Sequence, residues 1–237
     1  MKHIANLNLE TWVKKQIQLW EQAKKDIIKT DELKPFITIS REYGCLVNPV
    51  VLALAEELNK YENSDQWNGY DKDLLQKIHD DYAVNEKLLE TLDTKKREEM
   101  TELMRGMLTD YPPQVHAHLQ LIKTVRTLAI QGRKIIVGRA GVVITKDMKY
   151  GLHVRMVAPL ATRIQSVMER HGIRDRLEAE KLVKEKDRAR HDFMTQYVKF
   201  DAQNPASYDL TINMAKFSPQ EMIDLIINAL KSKKFLK

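Results

Sequence analysis

The sequence predicts an α/β protein, a three-layer sandwich whose central parallel sheet is covered by helices on both faces. Three observations predict it. The apolar runs "FITIS" (36–40), "KIIVGR" (134–139), "GLHVRMVAP" (151–159) and "YDLTIN" (208–213) are short and mostly β-branched, as strands buried on both sides are. Stretches with helical periodicity separate them. Prolines stand where helices should begin, at Pro49, Pro159 and Pro219. Strands that alternate with helices in this way build parallel sheets.

Each element has its own justification. Residues 9–28 read as a helix, with Val13, Ile17, Trp20 and Ile27 on one face and lysines on much of the other. This helix is expected to pack on the domain or on a second subunit. A membrane-surface role is the weaker reading, because Glu10, Glu21 and Asp26 dilute its charge. After the first strand, Asn48 is the expected N-cap and Pro49 the first helical residue, with Val51, Leu54, Ala55 and Leu58 facing inward. The pattern of 61–70 reads as a loop. Residues 71–131 read as helical, with a break at "DYPP" (110–113) and an end at Gly132. Leu160, Ile164, Val167 and Met168 give the helix after the third strand a core stripe, and Arg163 and Arg170 fall on its polar face. A charged helix follows at about 175–195, where Asp187 and Arg190 are spaced to pair. "SPQE" (218–221) is a capping box that starts the last helix.

Composition narrows the functional classes. The chain has 237 residues, 43% hydrophobic and 30% charged, enough for a substantial core. The formal charge of +6 comes from 39 basic and 33 acidic residues mixed along the chain. That balance admits anionic ligands but is a weak argument for nucleic acid, which is not expected as a partner. No apolar run reaches the roughly 20 residues of a membrane span. The single cysteine, Cys45, leaves no internal disulfide and fits a cytoplasmic protein.

Ligands of open parallel sheets bind beyond the carboxyl ends of the strands. That edge collects "REYGCLVNP" (41–49), "GRAG" (138–141) and the segment after "MVAP" (156–159). A strand-turn-helix unit presents amide N–H groups and the positive end of a helix dipole, a phosphate seat. An ordinary phosphate loop adds several glycines and a lysine. Here Gly44 stands with no lysine, and Leu46 and Val47 fill the later positions. Their Cβ atoms disfavour positive φ and are expected to crowd a phosphate. Arg139, just past a buried strand, is placed to grip an anion bidentately.

Taken in order, "ITISREYG", "YDKDLL", "IIVGRAGVVI", "VRMVAPLATRIQSVMERHG", "KEKDRARHDF" and "YDLTINMAKFSPQEMIDLI" resemble the cytidylate-kinase-like family, over about residues 36–230. The resemblance implies a P-loop nucleoside monophosphate kinase fold with five parallel strands, the fifth near 66–71. It implies a monophosphate-binding insert within 71–131, a lid at about 170–195, and residues 1–34 as an extension. It assigns Arg41, Gly44 and Cys45 to the donor-phosphate turn and Arg139 to the monophosphate. Ala140 stands where that family has a base-reading aspartate. Arg163, Arg188 and Arg190 become the catalytic arginines that close over the transferring phosphate, with Asp187 holding them. The implied activity is phosphoryl transfer from ATP, with Mg²⁺, to a nucleoside monophosphate or another phosphorylated small molecule. The alternative is a catalytically inactive nucleotide-binding or protein-interaction module on the same fold.

Overall fold

The computed structural model describes residues 34–71, 119–138, 140–196 and 199–236, with scattered positions between 73 and 102. The helix expected at 9–28, most of the insert expected within 71–131, and Arg139 lie outside the described residues.

Five parallel strands form one sheet: β1 (Phe36–Arg41), β2 (Asn68–Tyr70), β3 (Lys134–Val137), β4 (Gly151–Val157) and β5 (Leu210–Asn213). Their spatial order is β2-β3-β1-β4-β5. Ile37 and Ile39 of the central β1 register with Ile135 and Val137 on one side, and with Leu152 and Val154 on the other. The helices are α1 (Asn48–Glu62), α2 (Leu119–Gln131), α3 (Gly141–Ile144), α4 (Leu160–His171), α5 (Arg176–Gln196) and α6 (Pro219–Ser232). The chain passes from one side of β1 to the other between β3 and β4, so the carboxyl end of β1 is the switch point where such sheets bind ligands.

The period-2 alternation of β1 sorts two cores. Ile37 and Ile39, with Val154 and Met156, pack under Val50, Val51, Leu54 and Leu58 of α1 and Met222, Ile223 and Ile226 of α6. Phe36, on the opposite face, packs with Tyr70, Ile136, Leu121, Val125 and Leu128. Each fully buried Leu or Ile contributes about 1.5–3 kcal/mol. A third, smaller cluster, Ile164, Val167, Ala179 and Val183, joins α4 to α5 away from the sheet. The described part of 71–131 that forms an element, α2, is helical.

Three expectations are corrected. Helix α1 begins at Asn48 itself. Val47 occupies the N-cap position, and its apolar side chain offers no acceptor for a cap, while the Asn48 side-chain N–H donates to Asp71 Oδ2 at 3.4 Å. Residues 61–70 are not a loop throughout: α1 runs to Glu62, and Asn68–Tyr70 pairs with β3. Arg163 is buried, not on a solvated face, while Arg170 is exposed. The capping box of α6 is present as read, with Ser218 accepting from the Glu221 amide.

At the amino end of the sheet, far from the switch point, β3 starts with a fully buried lysine. Lys134 Nζ donates to the Gln66 carbonyl at 3.1 Å, and among the described residues no carboxylate neutralises it. Burial, with Arg133 and Lys34 adding repulsion, lowers its pKa from 10.5 to about 7. Between pH 7 and 10.5 the unfolded chain therefore binds a proton that the folded chain does not. Stability must then rise with pH across that window, by at most about 1.4 kcal/mol per pH unit, and be flat below it. Denaturant unfolding from pH 6.5 to 9.5 should show this rise in the wild type and lose it in Lys134→Met.

Candidate functional site

The site is built on the turn between β1 and α1. Gly44 adopts φ +90°, and it is the only residue of 42–47 in the left-handed region. A Cβ there would lie 2.7 Å from the Arg163 carbonyl oxygen and 2.8 Å from its Cβ. The glycine thus lets the turn lie directly on the backbone of α4. The next two side chains diverge. Leu46 points out, 44% exposed, and Val47 is buried in the core with φ −81°. Neither sits in strained backbone, and Val47 is turned away from the edge where a phosphate would lie. The expected crowding by Val47 is therefore corrected: this turn follows its own path, anchored from below by an apolar side chain.

Arg163 of α4 reaches back over the turn. Its Nε donates to the Ala158 carbonyl at 3.0 Å, and its Nη1 donates to the Tyr43 carbonyl at 3.1 Å and to Asp187 Oδ2 at 2.5 Å. Glu42 Oε2 lies 3.4 Å from Arg163 Nε and accepts from the Ala158 amide at 3.1 Å. Asp187 of α5 uses its other oxygen, Oδ1, to accept from the Tyr43 amide at 2.8 Å. The Tyr43 ring packs with the α4–α5 cluster, the Arg190 guanidinium stands over it at 5.2 Å, and its hydroxyl is 3.4 Å from His171 Nε2.

Two further cations flank the turn. The Arg41 guanidinium crosses to the β3–α3 turn, where Gly138 (φ +75°) has no Cβ to block it; one would lie 2.0 Å from Arg41 Nη1. Arg155 of β4 is buried on the same edge, donates to the Ala202 carbonyl, stacks on Tyr208 at 5.5 Å, and lies 3.9 Å from Glu42.

The profile of the cytidylate kinase-like family matches residues 36–216. The chain belongs to that family. A structure of an uncharacterized protein from Eubacterium ventriosum is similar at a TM-score of 0.63 and 23% identity, covering 84% of this chain and 99% of that one. This likeness concerns the fold. A protein named uronate isomerase from Corynebacterium glutamicum is 26% identical over 99 residues, 42% of this chain. The match takes in 19% of that protein's length.

Within this family fold the residues singled out from the sequence divide into three groups. Gly44, Arg163, Asp187 and Arg190 converge on Tyr43. Arg41 lies beside them against Gly138. Arg188 does not join them: it lines an exposed groove of α5 with Leu177, Glu180, Lys181, Lys184 and Glu185. The pairing expected between Asp187 and Arg190 is replaced by the ion pair of Asp187 with Arg163. Spacing and periodicity do not mark Glu42, Tyr43, Arg155 or Asp71, and the "EY" dipeptide beside Gly44 is the one local signal for the first two.

The turn suits a phosphate tail in part. The start of α1 carries no side-chain cap, and arginines surround it, but there is no lysine in the turn and Pro49 lacks an N–H. Among the described residues no group of three His, Cys, Asp or Glu could hold a metal ion.

Two outcomes follow from the path of the turn. Val47→Gly should cost about 2–3 kcal/mol in denaturant unfolding, since it empties a core position, while Leu46→Gly should cost under about 1 kcal/mol. Cys45 is the second case. Burial first, then the Glu42 carboxylate, raises its pKa to about 11. At pH 8 it should react with a disulfide reagent on the order of a hundredfold more slowly than free cysteine, and denaturation should abolish the difference.

Proposed function

We propose that this protein transfers a phosphoryl group from ATP to a nucleoside monophosphate or a similar phosphorylated small acceptor, with the donor phosphates over the β1–α1 turn. The observation that carries the reading is the convergence of Arg163, Arg190 and Asp187 on Tyr43. Two consecutive helices, far along the chain from the β1–α1 turn, deliver charge to it at the switch point of a parallel sheet. Family membership supports it.

Phosphoryl transfer is catalysed mainly by positioning and charge stabilisation. In this reading Arg190 and Arg163 neutralise charge that builds on the transferring group, and the uncapped start of α1 holds the donor's phosphate tail. Arg41, against Gly138, would flank the donor phosphates, and Arg139 would take the acceptor's phosphate, as the family resemblance implies. Arg188 would need α5 to rotate before it could take part. When bound, Mg²⁺ supplies charge neutralisation between the phosphates. Each missing donor of the usual phosphate loop costs on the order of 10²–10³ in rate, so a slow enzyme is expected.

A second reading is favoured by one specific observation. Arg163 already spends its Nε and Nη1 hydrogens on Ala158, Tyr43 and Asp187. An arginine so engaged also suits a module that binds a nucleotide without turning it over.

Calorimetric titration with ATP and CMP, with and without Mg²⁺, followed by a coupled phosphotransfer assay, separates the two. Binding with turnover is the expected result, and Arg190→Ala should lower kcat/KM at least about tenfold by removing a transition-state cation. Binding without turnover selects the second reading. No binding of either nucleotide sinks both.

A further inference from the structure

The Asp187 carboxylate makes the contacts an anionic ligand would make at this turn. One oxygen takes a backbone amide of the turn, Tyr43 N–H at 2.8 Å. The other takes the guanidinium of Arg163 at 2.5 Å. A backbone amide beside an arginine is a donor pair that phosphate oxygens also take. We propose that these donors, with Arg190 above them, form a phosphate seat whose resident occupant is the chain's own Asp187, and that a phosphoryl ligand enters by displacing that carboxylate. The inference rests on the turn receiving phosphate, as in the proposed function, and adds that the seat is self-occupied.

Charge balance makes displacement the route of entry. Arg163 already faces two carboxylates, Asp187 and Glu42 at 3.4 Å, and the latter also faces Arg155 at 3.9 Å. A phosphate added to this set with Asp187 in place would stand against a like charge and find the Tyr43 amide taken. With Asp187 withdrawn, Arg163 Nη1 and the Tyr43 amide are both released to the ligand.

The fold also allows Asp187 to leave. Among the described residues, α5 contributes none of the buried side chains of the two sheet cores. Its buried residues Ala179 and Val183 belong to the small α4–α5 cluster, and Asp187 lies one turn beyond them. Lys184, Glu185, Lys186, Arg188 and Ala189 around it are exposed. Beyond Val183, α5 reaches the turn through the Asp187 contacts and the Arg190–Tyr43 stack. Withdrawal therefore breaks two polar contacts and leaves both sheet cores intact.

The test titrates pyrophosphate, which carries no base or sugar, into wild type, Asp187→Asn and Asp187→Ala by calorimetry, with thermal melts to check folding. The expected result is a gain in affinity of about tenfold or more in both variants, the scale of one charge-assisted hydrogen bond. Adding Arg163→Met to Asp187→Asn should remove the gain. Equal or weaker binding by folded variants overturns the proposal. If the variants unfold, a crystal of the wild type with pyrophosphate decides: the ligand on Tyr43 N–H and Arg163 with Asp187 swung away supports it. The ligand elsewhere or absent, with Asp187 still on Tyr43, overturns it. Tighter pyrophosphate binding by Asp187→Asn in a chain that ignores nucleotides would keep the seat and remove the nucleotide reading. ATP binding by the wild type with no gain in the variants would do the reverse.

Discussion

The site depends on one buried guanidinium. Arg163 stands on the first turn of α4, yet it bonds the end of β4 at Ala158, the β1–α1 turn at Tyr43, and α5 at Asp187. A buried cation of this kind is costly unless its donors are met. Here two carboxylates and two carbonyls surround it. Its burial is therefore a constraint on all three segments, because moving any one of them leaves a charge or a carbonyl unmatched. Gly44 is part of the same constraint: it brings the turn within contact of the Arg163 backbone, which sets the reach of the side chain.

The sheet was legible because its physics is local. A doubly buried strand must be short, apolar and rich in β-branched residues, and β1, β3 and β4 are. The strand that pattern reading lost, β2, is "NGY", three residues with two poor strand formers. It is held by its neighbour β3 and by buried Trp67, whose indole N–H meets Glu62, and only the family resemblance placed a strand there. The convergence at the site was less legible for a related reason. Periodicity put Arg163 on a polar face, which is correct for the helix taken alone. The polar face of α4 is covered by the turn and by α5 at Arg163, and no pattern within one helix reports what a distant segment lays over it. The same holds for Val47: spacing marks it as a departure from a glycine-rich loop, but only the fold turns it into the core.

The division of apolar clusters has a mechanical meaning. The two cores on either side of the sheet bind β1, α1, α2 and α6 into one block. The α4–α5 cluster is a separate unit of four buried side chains, and α5 beyond it is largely solvated. Local opening follows such boundaries, because the segment with the fewest buried contacts detaches first. The block carries the turn and the α4–α5 unit carries Arg163, Asp187 and Arg190, so their contacts with Tyr43 lie on the seam between the two.

Tyr43 belongs to both sides of that seam. Its backbone is part of the turn, held by Asp187 and Arg163, while its ring packs in the α4–α5 cluster under Arg190. A residue shared in this way acts as a gear rather than a hinge. The turn cannot change shape without the ring dragging on the arm, and the arm cannot swing without pulling the turn. The two segments that a mobile-arm protein could move independently are here coupled through one side chain.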